Sequence, residues 1–178
     1  MSDGAPASLH LIFVGLMGSG KTTVGKRCAE ALGRPFVDTD ELVEASAGQT
    51  VAELFATVGE IGFRAVERQA VADACASPVP IVISCGGGAV LDADNRRHLQ
   101  SSGHVVWLHA PAPVLAERIG STSARPLLAN GNPEVTLERL STLRAGTYSA
   151  VAEVTIDTGD LAVDEVVERV LHEFAELG

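Results

Sequence analysis

Residues 15–22 read Gly-Leu-Met-Gly-Ser-Gly-Lys-Thr. The spacing Gly15-x-x-x-x-Gly20-Lys21-Thr22 matches the Walker A phosphate-cradling pattern without a mismatch. Each residue type has a task in that chemistry. Glycines let backbone N–H groups turn toward phosphate oxygens, and a helix starting at Lys21 adds the positive end of its dipole. Lys21 neutralises charge on the β- and γ-phosphates, and Thr22 offers a hydroxyl to Mg²⁺. Gly18, Ser19 and Thr23 complete the nucleotide-binding stretch. The motif specifies a nucleoside triphosphate and says nothing about a second substrate.

Three further stretches could supply one. Asp38 and Asp40, in Asp-Thr-Asp, end a short apolar run. In a parallel sheet the C-terminal strand ends share one edge with the phosphate loop, so both carboxylates should face the transferring phosphate. Two residues apart in an extended segment, they would point the same way at different depths, one near a metal and one near an acceptor. Asp40 also reads as the N-cap of a following helix. Gly86-Gly87-Gly88 follows another apolar run. It allows close backbone approach to an anion or hydroxyl, or is simply a tight turn. Arg64 and Glu67 are spaced i,i+3. They make either a surface ion pair or a carboxylate that holds a guanidinium fork in place for an anionic substrate.

The elements that must position these residues alternate along the chain. Apolar runs at 9–14, 35–38, 81–84, 104–109 and 154–157 read as strands. Helical spacing runs from Lys21 to Leu32, with Gly33 as its stop. Thr50 with Glu53 forms a capping box that opens a helix to Val58, and a second helix runs from Glu60 to Ala76. Further helices are expected over 92–102, Pro111 to Ile119, Glu134 to Tyr148, and from Ala162 onward. Five strands alternating with helices predict an α/β fold: a five-stranded parallel sheet with helices on both faces, α/β/α. Residues 120–133 break the pattern with a polar, Gly/Pro-punctuated loop, either a lid or an ordinary connection.

Length and charge bound the rest. The 178 residues suit one domain. A net charge of -10 argues against broad nucleic-acid binding, although a few arginines can still make a local anion pocket. The pairs Lys26-Arg27 and Arg96-Arg97 read as solvated helix faces. Cys28, Cys75 and Cys85 have no metal or redox spacing, and the simplest reading is a reduced, cytoplasmic protein. The first ten residues carry no secretory pattern, and no apolar stretch suits a membrane span. His10, His98, His104, His109 and His172 form no i,i+4 metal pair, and Trp107 reads as core.

Taken together these pieces resemble the shikimate kinase family, within the nucleoside-monophosphate-kinase-like P-loop kinases. The likeness is carried by Gly15–Gly25, Asp38–Asp40, Phe55–Glu67, Cys85–Val90 and Arg125–Leu128, in the family's order and spacing from about residue 11 to residue 148. The resemblance implies a P-loop NTPase fold with sheet order 2-3-1-4-5 and a mobile lid. It implies one domain over residues 1–178, with the lid at about 120–133 and acceptor-binding helices at about 40–76. The implied reaction moves the ATP γ-phosphate to the 3-hydroxyl of shikimate, with one Mg²⁺, a step toward chorismate and the aromatic amino acids. Lys21 would contact the phosphates, with Thr22 and Asp38 at the metal. Asp40 would bind the ring hydroxyls and orient or deprotonate the attacking one. Arg64 and Arg144 would clamp the substrate carboxylate, beside Gly86, Gly87 and Gly88. Arg125 would reach over the phosphates from the lid, and Arg118 would flank the adenine. No nucleic acid or membrane takes part, and the family-like expectation is a monomer.

Two departures carry expectations of their own. Where the family usually has Arg-x-Pro-Leu-Tyr, this chain has Arg144-Ala-Gly146-Thr147-Tyr148, so glycine should loosen the turn beneath the arginine. Residues 157–164 lack the proline and arginine that often wall the adenine. The rival readings are another small-molecule P-loop kinase, such as a gluconate kinase, and a nucleotide-binding module without transfer activity.

Overall fold

The computed structural model describes residues 8–120, 128 and 131–177. In chain order its elements are β1 (His10–Val14), α1 (Lys21–Leu32), β2 (Phe36–Asp38), α2 (Thr39–Ala47), α3 (Val51–Cys75) and β3 (Val82–Ser84). A 3-10 turn at Ala89–Leu91 leads into α4 (Ala93–Ser102), β4 (Gly103–His109), α5 (Ala112–Ile119), α6 (Pro133–Val151), β5 (Val154–Asp157) and α7 (Val163–Ala175). The five strands form one parallel sheet in the order β2-β3-β1-β4-β5. This is the expected P-loop kinase topology.

The central strand is buried along its whole length, so it reads as a continuous apolar run rather than an alternation. Its two faces feed two cores. Ile12 and Val14, with Ile83 and Val105, pack against Val71 of α3, Leu99 of α4, Leu115 of α5 and Leu137 of α6. Leu11 and Phe13, with Val82, Val106 and Ile156, pack against Val24 of α1 and Val170 and Phe174 of α7. Each fully buried side chain of this size contributes about 1.5–3 kcal/mol, and β1 supplies to both sides at once. The phosphate loop therefore leaves the best-anchored strand of the molecule. A third, smaller cluster lies apart from the sheet: Val43 of α2 with Leu54, Phe63 and Ala70 of α3.

Local signals set several boundaries. Gly33 ends α1 in the left-handed conformation, at φ 62°. The Thr50 hydroxyl accepts from the Glu53 amide while the Glu53 carboxylate accepts from Thr50 N–H at 2.8 Å, completing the expected capping box. The two helices read from sequence on either side of Gly59 abut without a loop. They meet at a kink where Gly59 takes φ 70°, ψ -177°.

Three expectations are corrected. Asp40 is not a cap and does not lie in an extended segment. Asp38 caps α2, its Oδ1 accepting from the Asp40 amide at 3.0 Å, and Asp40 already sits in the first helical turn. No turn lies beneath Arg144, because α6 continues unbroken to Val151. Gly146 is exposed within that helix, with open space where a side chain would stand. Trp107 packs against the core as expected, though only partly buried, and its ring stacks on Tyr148 with centroids 5.4 Å apart.

Candidate active site

A cleft of about 820 Å³ opens at the C-terminal edge of the sheet. At one end the phosphate loop contributes Gly18, Ser19, Gly20, Lys21, Thr22 and Thr23. Gly20 takes φ 96°, a conformation that favours glycine, and delivers the chain into the first turn of α1. Lys21 is 9% exposed and its Nζ donates to the Leu16 carbonyl at 2.9 Å, so the ammonium is held within the loop it must serve. Ser19 lines the cleft but is only 1% exposed.

Thr22 and Asp38 meet across the floor. Thr22 Oγ1 donates to Asp38 Oδ2 at 2.9 Å, while the other carboxylate oxygen caps α2. A hydroxyl and a carboxylate side by side are hard oxygen donors of the kind that hold a Mg²⁺ already ligated by phosphates and waters. The pair thus fits such an ion. Among the described residues no group of three or more His, Cys, Asp or Glu gathers to make a different kind of metal site.

The other end is assembled from distant segments. Asp40, Arg64, Gly86, Gly87, Gly88 and Arg144 all line the same cleft. Arg64 donates to Glu67 at 2.5 Å, and Glu67 is 1% exposed. Burial pushes the Glu67 carboxyl up, while the charge and hydrogen bond of Arg64 pull it down. Arg64 is thus fixed by a buried carboxylate, and the surface-pair reading falls. A Cβ on Gly88 would overlap the Arg64 guanidinium, so this glycine exists for close approach. Arg144 is 5% exposed and donates to the Gly87 carbonyl at 3.1 Å. Tyr148 donates its hydroxyl to the same oxygen. Burial lifts that phenol to about 12 against the pull of Arg144, so it remains a protonated donor.

The nucleotide end is closed by Arg118, which donates to Thr158 Oγ1 at 2.9 Å and to the Thr158 carbonyl at 2.6 Å. Thr158 is buried and in turn donates to the His109 carbonyl at 3.1 Å. Leu161, Ala162 and Val163 continue this wall, where the sequence offers neither proline nor arginine. Arg125 and most of the 120–133 segment lie outside the described residues.

Sequence reasoning missed Tyr148 as an anchor of the glycine turn, Thr39 beneath Asp40, and the Leu161–Val163 wall. The only sequence signal was the placement of Tyr148 one helical turn after Arg144. Cys85 is buried, and burial raises its thiol well above the usual range, so it is packing rather than chemistry.

No described helix is long and apolar enough to cross a membrane. Comparison with known proteins gives a consistent result. The family model described as shikimate kinase matches residues 17–175. A shikimate kinase of Symbiobacterium thermophilum is 45% identical over 172 residues, 96% of this chain and 98% of that protein. The structure of a shikimate kinase from Acinetobacter baumannii in complex with shikimate superposes with a TM-score of 0.90 at 37% identity, over 93% of this chain and 92% of that one. A gluconokinase from Sinorhizobium meliloti is more distant, with a TM-score of 0.60 at 25% identity over 97% of this chain and 95% of that one.

Proposed function

The chain belongs to the shikimate kinase family, and we propose that the cleft residues described above carry out that family's reaction. The protein is an ATP-dependent kinase that transfers the γ-phosphate to the 3-hydroxyl of shikimate, giving shikimate 3-phosphate and ADP. The gluconate kinase and non-catalytic readings are not favoured. The observation that carries the assignment of roles is the meeting of two arginines, Arg64 and Arg144, on one glycine turn opposite the phosphate loop. A planar carboxylate is the ligand such a pair of guanidinium groups suits.

Phosphoryl transfer asks for alignment and charge stabilisation rather than covalent catalysis. In the proposed arrangement, Arg64 and Arg144 grip the carboxylate of the acceptor. The carbonyl of Gly87 and the carboxylate of Glu67 hold those arginines still. Asp40 faces the ring hydroxyls and takes the proton of the attacking one as its oxygen bonds to phosphorus. The bond between phosphorus and the β–γ bridging oxygen breaks, and ADP leaves. Lys21 and the amides of the loop balance charge on the phosphates. The family requires a divalent metal; Mg²⁺ held by Thr22 and Asp38 would add positive charge at the β- and γ-phosphates. Arg118, fixed on Thr158, flanks the base of the nucleotide.

The same proposal takes the whole chain as a single domain acting as a monomer in the cytoplasm. Its test is Asp40→Asn, which keeps size and removes the base. Turnover should fall by about 10²–10⁴-fold, with ATP affinity by calorimetry unchanged. Turnover near that of the wild type would remove Asp40 from its role.

A further inference from the structure

The middle residue of Asp38-Thr39-Asp40 has no task in the chemistry above, yet Thr39 is fully buried. It opens α2, and its Oγ1 accepts a hydrogen bond from the Gly86 amide at 2.9 Å. Strands β2 and β3 pair as far as Asp38 and Ser84. Beyond that pair the two segments part, one into α2 and the other into the glycine turn. The Thr39–Gly86 bond ties them together again, across 47 residues of sequence.

What it ties is the acceptor chemistry. A Cβ on Gly86 would stand 2.6 Å from Asp40 Oδ1 and 2.9 Å from Glu67 Oε1, so Gly86 is the surface on which both carboxylates rest. The next residue, Gly87, holds Arg144 and Tyr148 through its carbonyl. Gly88 lies beneath the Arg64 guanidinium.

We infer that Thr39 is a positioning residue for phosphoryl transfer: its hydroxyl sets the spacing between the helix that carries Asp40 and the glycine turn that seats the arginines. This rests on the proposed role of Asp40. A threonine is suited to the place because its methyl fills the buried site while its oxygen accepts the amide. A valine keeps the shape and leaves that amide without a partner.

The test compares the wild type with Thr39→Val and Thr39→Ser. Thr39→Val should lower kcat/KM for shikimate by about 10- to 100-fold, with a smaller change in the KM for ATP, because the lost bond joins α2 to the glycine turn and not to the phosphate loop. Thr39→Ser should recover most of the loss, since it restores the oxygen and not the methyl. A purely packing role would give the opposite order, with valine active and serine impaired, and that result overturns the inference. If the valine variant does not fold, Thr39→Ser and Thr39→Cys make the comparison, differing in one atom; equal kcat/KM for the two overturns it. The bond has a readout independent of activity. Exchange of the Gly86 amide with solvent should quicken in Thr39→Val and not in Thr39→Ser, and unchanged exchange in both overturns the inference. A wild type without acceptor-dependent ADP release would instead contradict the kinase roles, whatever the amide shows.

Discussion

The phosphate end of the cleft is one continuous piece of chain, from β1 through Gly15–Gly20 into α1, whereas the acceptor end is collected from α2, α3, the turn after β3 and α6. The first hangs on a strand buried on both faces. In the second, α3 and α6 reach the main core through Val71, Leu137 and Tyr148, but α2 and the start of α3 rest on a small cluster away from the sheet, and side-chain bonds to one turn reach across 57 residues from Arg144 and 61 from Tyr148. α3, which carries Arg64, is kinked at Gly59, and Ile61 next to that kink is 90% exposed. A local motif on a rigid strand makes a phosphate site whose geometry is set by the backbone. An assembled site can be altered one bond at a time, which is where acceptor specificity would be tuned.

That contrast can be broken by substitution. The largest effect is expected at the phosphate end. Lys21→Ala should lower kcat on the order of 10³-fold and leave shikimate binding by calorimetry nearly intact. A comparable loss of shikimate binding would mean that the two ends are not separable. Arg64→Ala should do the reverse, raising the KM for shikimate by about two orders of magnitude with the KM for ATP little changed. It should also destabilise the fold by about 3 kcal/mol at neutral pH, because Glu67 is left buried without its partner. Burial already raises the Glu67 carboxyl in the native state. A group whose folded pKa lies above its unfolded one favours the native state at low pH and loses that contribution as pH rises. The deficit of Arg64→Ala should therefore shrink on acidification toward the carboxylate range, and Arg64→Ala/Glu67→Gln should regain stability without regaining shikimate affinity. Denaturant titrations at two pH values would read this. The smallest effect on substrate is expected at the kink: Gly59→Ala should cost about 1–3 kcal/mol by calorimetry, because φ 70°, ψ -177° is open essentially to glycine alone, and shift the KM for shikimate only a few-fold. A shift in the KM for ATP instead would contradict the division.

The same division explains what the sequence disclosed. The loop and its flanking elements are contiguous, so residue types at fixed spacing specify them. The capping box at Thr50 and the stop at Gly33 are local for the same reason. Sheet order followed from the family resemblance rather than from any residue pattern. Asp38 and Asp40 were legible as site residues but not in conformation, because capping by Asp38 starts the helix two residues earlier than an extended reading allows. The roles of Tyr148 and Thr39 were not legible because their partners are backbone groups of distant residues, Gly87 and Gly86; Tyr148 stood out only by its spacing from Arg144. The adenine wall was missed because Leu161, Ala162 and Val163 are ordinary apolar residues at the start of a helix.

The most direct test of the account is ADP release from MgATP by the purified protein, with shikimate, quinate, gluconate or no acceptor. Release should depend on shikimate, with ³¹P spectra showing a new phosphate monoester. Release at the same rate without acceptor, or with gluconate and not with shikimate, would contradict it.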